Sequence, residues 1–373
     1  MSEPAADPLG PGPDPDAFAQ LLCGWCLDVQ PGQQVLVRSS TLAAPLLLAL
    51  QRAILARDAW PHIRAELPGL DAGFYAHARD VHLDGVPSLA RAEVEHADAF
   101  LSIHAPRNTR ALADVDPARL ARAARARAPL QEARLAKRWC VTLWPTAAGA
   151  QQAGMGEAAF AAFVRRALLL DRDDPAAAWA ELGAFQERLI ARLREARELR
   201  IEAEGTDLRL RVDGRTWRNS DGRRNMPSGE VFTSPLETSA EGVIRFTVPS
   251  SPGGVEVEDV TLAFRDGEVV EARAARGQAY LERMLATDAG ARRLGEIGIG
   301  TNAGITRPIG AILLDEKIGG TVHLALGRSY PETGGRNESA IHWDLICDLR
   351  AGGRLTADGE VLQRDGAFVS DFH

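Results

Sequence analysis

The pattern of apolar residues changes once along this chain, near residue 200, and that change limits the fold more than any other feature. Before it, short apolar runs alternate with stretches of helical period. A strand is expected over 34–38, after the turn Pro31-Gly32. Ser39, Ser40 and Thr41 then offer N-caps and Pro45 suits a first helical turn, so a helix should run to about residue 57. Further strands are expected over 60–65, 97–104 and 139–144, with a helix from Asp116-Pro117 to about 128. Strands spaced by helices imply a parallel sheet with right-handed crossovers. Asp173-Asp174-Pro175 opens a helix expected to reach about 197, with Trp179, Leu182, Phe185, Leu189 and Leu193 on one face, as an arm between two domains.

Beyond that arm the period becomes two. Leu208, Leu210 and Val212 alternate with polar residues, and Asp213-Gly214 and Asp266-Gly267 are hairpin turns. The expected architecture is therefore an α/β N-terminal domain with a parallel sheet over 15–199. An α+β, mostly antiparallel β catalytic domain follows over 200–373, with a helix near 278–294. Residues 1–14, acidic and proline-rich, read as a disordered leader.

Several function classes are disfavoured at once. The chain carries 43 Lys+Arg against 51 Asp+Glu, a net charge of -8, which is wrong for a general nucleic-acid surface. No apolar run approaches the ~20 residues that span a bilayer; the greasiest stretch, 42–55, is broken by Pro45, Gln51 and Arg52. With no secretory signal and only four cysteines, the expected compartment is the cytosol. The Cys23-x-x-Cys26 pair lies inside an apolar helical pattern rather than at a helix start after a strand, so it reads as core, not as a redox site. The basic residues between Arg119 and Arg138 read as a solvated helix face. No phosphate-binding glycine loop follows any strand, since Gly298, Gly300 and Gly304 have the wrong spacing, so no nucleotide is expected.

The chemistry gathers in the second half. His342-Trp343-Asp344 places two ligand-type side chains at i and i+2, on one face of a strand. His323 is a lone imidazole in the aliphatic string Gly320–Gly327. Glu230 stands at the entry to an apolar strand, Glu296 inside a Gly/Ile strand, and Asp315-Glu316-Lys317 follows an apolar run. Buried carboxylates need cations or hydrogen bonds. Four carboxylates with two imidazoles suit Zn, Co or Mn, and they exceed the needs of one tetrahedral ion. Two bridged divalent ions would accommodate them and balance their charge.

Four strings carry a resemblance: NMPSGEVFTSP (225–235), GEIGIGTN (295–302), LLDEKIGGTVHLALGRSYPETGG (313–335) and NESAIHWDLI (337–346). In these the chain resembles the aminopeptidase T / aminopeptidase S family of two-metal metallopeptidases. The resemblance implies two divalent metal ions per subunit (Zn, Co, Mn or Mg) held by Glu230, Glu296, Glu316, His323, His342 and Asp344, with Glu296 bridging. It implies that Tyr330 stands beside the metals, that the cluster lies on the C-terminal domain, and that the protein is a homodimer. Two departures stand out: the connection from Tyr330 to Asn337 is short and Gly-rich, and Glu338 stands where glutamine is common.

The implied activity is that of a metallo-aminopeptidase acting in the cytoplasm on peptides with a free N-terminus, with no nucleic-acid or membrane partner. A metal-activated bridging water would attack the scissile carbonyl, and Glu316 first, Glu230 second, would accept its proton. The alternative is a two-metal amidase or deacylase acting on a non-peptide amide.

Overall fold

The computed structural model describes residues 12–250 and 254–369. Of the expected leader, residues 1–11 lie outside the described residues. The chain divides into two compact units, residues 1–176 with 222–227, and residues 177–221 with 228–373.

The first unit follows the alternation of its sequence. Strands β1 (Gln34–Ser40), β2 (Trp60–Glu66), β3 (Ala99–His104) and β4 (Arg138–Leu143) form a parallel sheet in the order β2-β1-β3-β4. The Ser40 hydroxyl caps the turn after β1 by accepting from the Leu42 N–H, and the helix Ala44–Leu55 then buries Leu46, Leu47, Leu50 and Ile54. The helix that begins at Pro117 does not stop near 128. It continues through Pro129 to Leu135. A proline removes one backbone donor, but this helix is anchored on both sides of it. Arg119 donates to the carbonyls of Tyr75 and Ala78, and Lys137, just past the helix, donates to those of Val94, Glu95 and Ala97. Arg122 pairs with Asp80 and Asp84. Cys23 and Cys26 are buried and form no disulfide, and burial pushes Cys23 up to about 12 despite Arg57 nearby, so the pair is core.

The second unit is antiparallel. It opens with the helix Pro175–Arg194 and strands β5 (Glu198–Ala203), β6 (Thr206–Arg211) and β7 (Arg218–Ser220). The short β8 (Asn225–Met226) returns to the first unit and extends its sheet beside β4. Then follow β9 (Glu230–Thr233), β10 (Glu241–Phe246), β11 (Glu258–Arg265), β12 (Glu268–Arg276), β13 (Leu294–Gly300), β14 (Thr321–Gly327), β15 (His342–Asp348), β16 (Arg354–Ala357), β17 (Glu360–Arg364) and β18 (Ala367–Phe368). One sheet has the order β12-β11-β10-β6-β5-β16-β17-β18 and the other β15-β14-β13-β9-β7. Leu199, Leu208, Ile244 and Leu262 of the first share one core with Ile297, Ile299, Leu324 and Leu345 of the second. Leu189, Ile190 and Leu193 of the helix Pro175–Arg194 complete it. Among the described residues no helix is long and apolar enough to cross a membrane.

Candidate metal centre

The sheet β15-β14-β13-β9-β7 has two unlike faces, set by strand alternation. Val231, Ile297, Ile299, Val322, Leu324, Leu326, Trp343, Leu345 and Cys347 point into the core. Their neighbours in sequence form the other face. There Glu230 pairs in register with Gly300, Gly298 with His323, Ala325 with both Glu296 and Asp344, and Gly327 with His342. Ionisable side chains on four adjacent strands thus face the same way, separated by glycine and alanine. A register shift between Leu294 and Glu296 sets Glu296 in that phase.

The small residues are required by space. A Cβ on Gly298 would lie 2.0 Å from Cε1 of His323, a hard clash with the imidazole ring. His323 is 1% exposed, and its ring occupies the room that Gly298 leaves.

His323 Nε2 is 3.6 Å from Glu230 Oε2 and 3.6 Å from Glu296 Oε1. His342 Nε2 is 3.2 Å from Glu296 Oε2 and 3.5 Å from Asp344 Oδ1. Glu296 therefore turns one oxygen toward each imidazole. His342 donates from Nδ1 to the Arg328 carbonyl at 2.7 Å, which directs Nε2 into the cluster. The Tyr330 hydroxyl is 3.5 Å from the same Nε2, and its ring sits edge-on to Phe232 and tilted against His342. Glu316 caps the short helix Ile312–Asp315 and reaches the cluster beside Lys317. Each side chain singled out in the sequence is thus in contact with another of them or with Lys317.

Lys317 is the member of the cluster that sequence reasoning missed. It is 1% exposed, with its ammonium 2.6 Å from Glu230 Oε1 and bonded also to Glu316 Oε1. Both glutamates give it one oxygen and keep the other. The signal was present: of the 43 basic residues only two, Lys137 and Lys317, are lysines. A chain that uses arginine almost everywhere keeps lysine where a compact ammonium must fit between close acceptors.

The electrostatics are those of a site that draws in positive charge. Burial opposes a charged imidazole, but the carboxylates prevail: His323 is pushed up to about 9 beside Glu296 and Glu230, and His342 to about 11 beside Asp344 and Glu296. Burial also opposes the charge on Glu296, yet the two imidazoles hold it down at about 2. Burial pushes Glu316 up to about 8 against the pull of Lys317. Burial and then the surrounding carboxylates keep Tyr330 a neutral phenol.

A cation fits what these residues leave unsatisfied. Glu230 Oε2, His323 Nδ1 and Asp344 Oδ1 are buried and have no hydrogen-bond partner. Glu296, His323 and Asp344 each bring one ligand atom within 4.8 Å of the other two. Mixed nitrogen and oxygen donors of this kind hold a divalent ion.

That donor set marks a protein of the metal-dependent class. The chain belongs to the aminopeptidase T/S family, the thermophilic metalloproteases (M29), whose profile matches residues 14–368, and it is a metal-dependent hydrolase. It is 34% identical over 400 residues to Aminopeptidase 2 of Geobacillus stearothermophilus, across 92% of this chain and 94% of that one. It is 32% identical over 221 residues to Aminopeptidase T of Thermus thermophilus, across 52% of this chain and 53% of that one. The structure of wild-type AmpT from Thermus thermophilus superposes with a TM-score of 0.81 at 27% identity, across 95% of this chain and 99% of that one. A 2,5-dihydroxypyridine dioxygenase from Pseudomonas putida KT2440 shares the fold at 15% identity, with a TM-score of 0.58 over 95% of this chain and 97% of that one. Fold alone therefore does not decide the chemistry.

Proposed function

We propose that this protein is a metallo-aminopeptidase that removes the first residue of peptides with a free α-amine, through two divalent ions held by Glu230, Glu296, Glu316, His323, His342 and Asp344. The observation that carries the reading is Glu296, whose two carboxylate oxygens face two different imidazoles. That is the disposition of a shared ligand, with Glu230 and His323 on one side and His342 and Asp344 on the other. The relatives by sequence reported above are named aminopeptidases, which supports the reaction.

Two bound divalent ions, Zn, Co, Mn or Mg, would polarise the scissile carbonyl and activate a water between them. The chain's own residues supply the rest. Glu316, which gives one oxygen to Lys317 and keeps the other, is the first choice for accepting the water's proton and returning it to the leaving amine. Glu230, with one oxygen on Lys317, is the second choice for that role. Tyr330, held as a neutral phenol, donates its hydroxyl to the oxyanion. The substrate's free α-amine would be held by a metal ion or by one carboxylate of the cluster, which restricts cleavage to the first residue. The reading extends to a homodimer in the cytosol, which light scattering and cell fractionation test.

The test is hydrolysis of aminoacyl-anilides and dipeptides after chelation and after adding back each metal. Free-amine substrates should be cut only with metal present, and N-acetylated ones left intact. Equal rates on blocked substrates would replace this reading with the amidase or deacylase alternative.

A further inference from the structure

The donor cluster shares a wall with a cavity of about 200 Å³. His342 and Asp344 line it on one side, and Val248, Pro249, Ile312 and Ile346 supply an apolar lining. The cavity lies along β15, the edge strand of its sheet. The chain after β10 flanks that edge, where the Val248 N–H donates to the Ile346 carbonyl at 3.3 Å. Ile346 follows Asp344 by two residues on the same face, about 7 Å further along the strand. That is the reach of one side chain from a backbone held at Asp344.

Apart from His342 and Asp344, which belong to the donor cluster, the polar side chains around the cavity are engaged. Asp315 accepts from the Ile309 N–H at 2.8 Å, and the Ser250 hydroxyl accepts from the Trp343 indole at 3.0 Å. Among the described residues that line it there is no lysine or arginine.

We infer that this cavity receives the side chain of the substrate's first residue and selects medium-sized apolar residues such as leucine. The inference rests on the aminopeptidase reading above and specifies its substrate class. With the first residue's amine and carbonyl at the metal ligands, its side chain enters the lining of Val248, Ile312 and Ile346. An acidic side chain would meet Asp315 with no lysine or arginine to pair. A lysine would bury its ammonium against carboxylates that are already committed. Alanine would leave most of the lining unfilled.

The experiment compares kcat/KM for leucyl-, alanyl-, lysyl- and glutamyl-anilides with the metal-loaded enzyme and with Ile312→Trp. Ile312 is 46% exposed, so the larger ring extends over the cavity mouth without entering the core. The wild type should favour leucine over alanine by about tenfold or more, the range expected for a filled apolar pocket. Lysine and glutamate should fall below both. Ile312→Trp should lower the leucine-to-alanine ratio by about tenfold, with metal content and the circular-dichroism spectrum at wild-type values. Lysine or glutamate ahead of leucine, or an unchanged ratio in Ile312→Trp, would overturn the pocket assignment alone. No hydrolysis of any of the four would overturn the aminopeptidase reading and this inference with it.

Discussion

The parallel sheet of the first unit and the β15-β14-β13-β9-β7 sheet of the second treat polar side chains in opposite ways. At the strand ends of the parallel sheet, Ser39 donates to the Ile103 carbonyl, Ser40 to that of Ala105, and Arg38 pairs with Glu66. What its strands leave unpaired is neutral and dispersed: the Trp139 indole and the Thr142 hydroxyl. In the other sheet, apart from the neutral Asn219 Oδ1 on the edge strand β7, the unpaired atoms are ionisable and adjacent, on Glu230, His323 and Asp344. A folded chain tolerates a stray neutral donor. It gathers unpaired ionisable groups on one face only where something else completes them.

The two lysines sharpen the contrast. Lys137 holds three backbone carbonyls at a helix end, whereas Lys317 is enclosed between two glutamates. Lys317→Met should cost the metal-free protein about 3–5 kcal/mol, because it strands two buried carboxylates. Lys137→Met should cost about 1–2 kcal/mol, since its carbonyls can turn to water. Denaturant unfolding of both variants checks this, and equal losses would erase the distinction.

Next in size is Tyr330→Phe, which should lower kcat about 10²-fold, more than it raises KM, while metal content is kept. An unchanged kcat would make the ring a packing element between Phe232 and His342. Gly298→Ala should destabilise by about 1–3 kcal/mol through overpacking and should weaken metal binding, since the new methyl displaces His323. Wild-type metal affinity in that variant would show that the His323 ring has other room. The smallest effect belongs to the first unit: Cys23→Ser with Cys26→Ser should leave metal content and activity near wild type. The Cys23 thiol, pushed up to about 12, should resist alkylation in the native protein at pH 8.

Much of this was legible in the residues. Strand-and-helix alternation foretold the parallel sheet, and the turn to a period of two foretold the antiparallel unit. Glu230, Glu296, His323, His342 and Asp344 stood out because a charged group inside an aliphatic strand needs a reason. The helix through Pro129 was not legible, because its anchors at Tyr75, Ala78 and Val94 are remote in sequence. Gly298 read as part of a misspaced glycine loop, and only the register across β13 and β14 shows that it makes room for an imidazole. Lys317 follows Asp315 and Glu316 after an apolar run, and its enclosure between Glu230 and Glu316 is a tertiary fact that the local sequence does not report. The Arg328 carbonyl that orients His342 belongs to the backbone, which side-chain patterns do not report.

The central claim is that one face of one sheet holds two ions through a shared Glu296. It is tested most directly by metal per subunit, measured by elemental analysis after dialysis against a weak chelator. The account predicts about two ions in the wild type and about one in Asp344→Asn, which loses a ligand to a single ion. It predicts well below one in Glu296→Gln, which weakens both coordination spheres. Two ions retained in Glu296→Gln would contradict the shared ligand and require the cluster to be redrawn around Glu230 or Glu316.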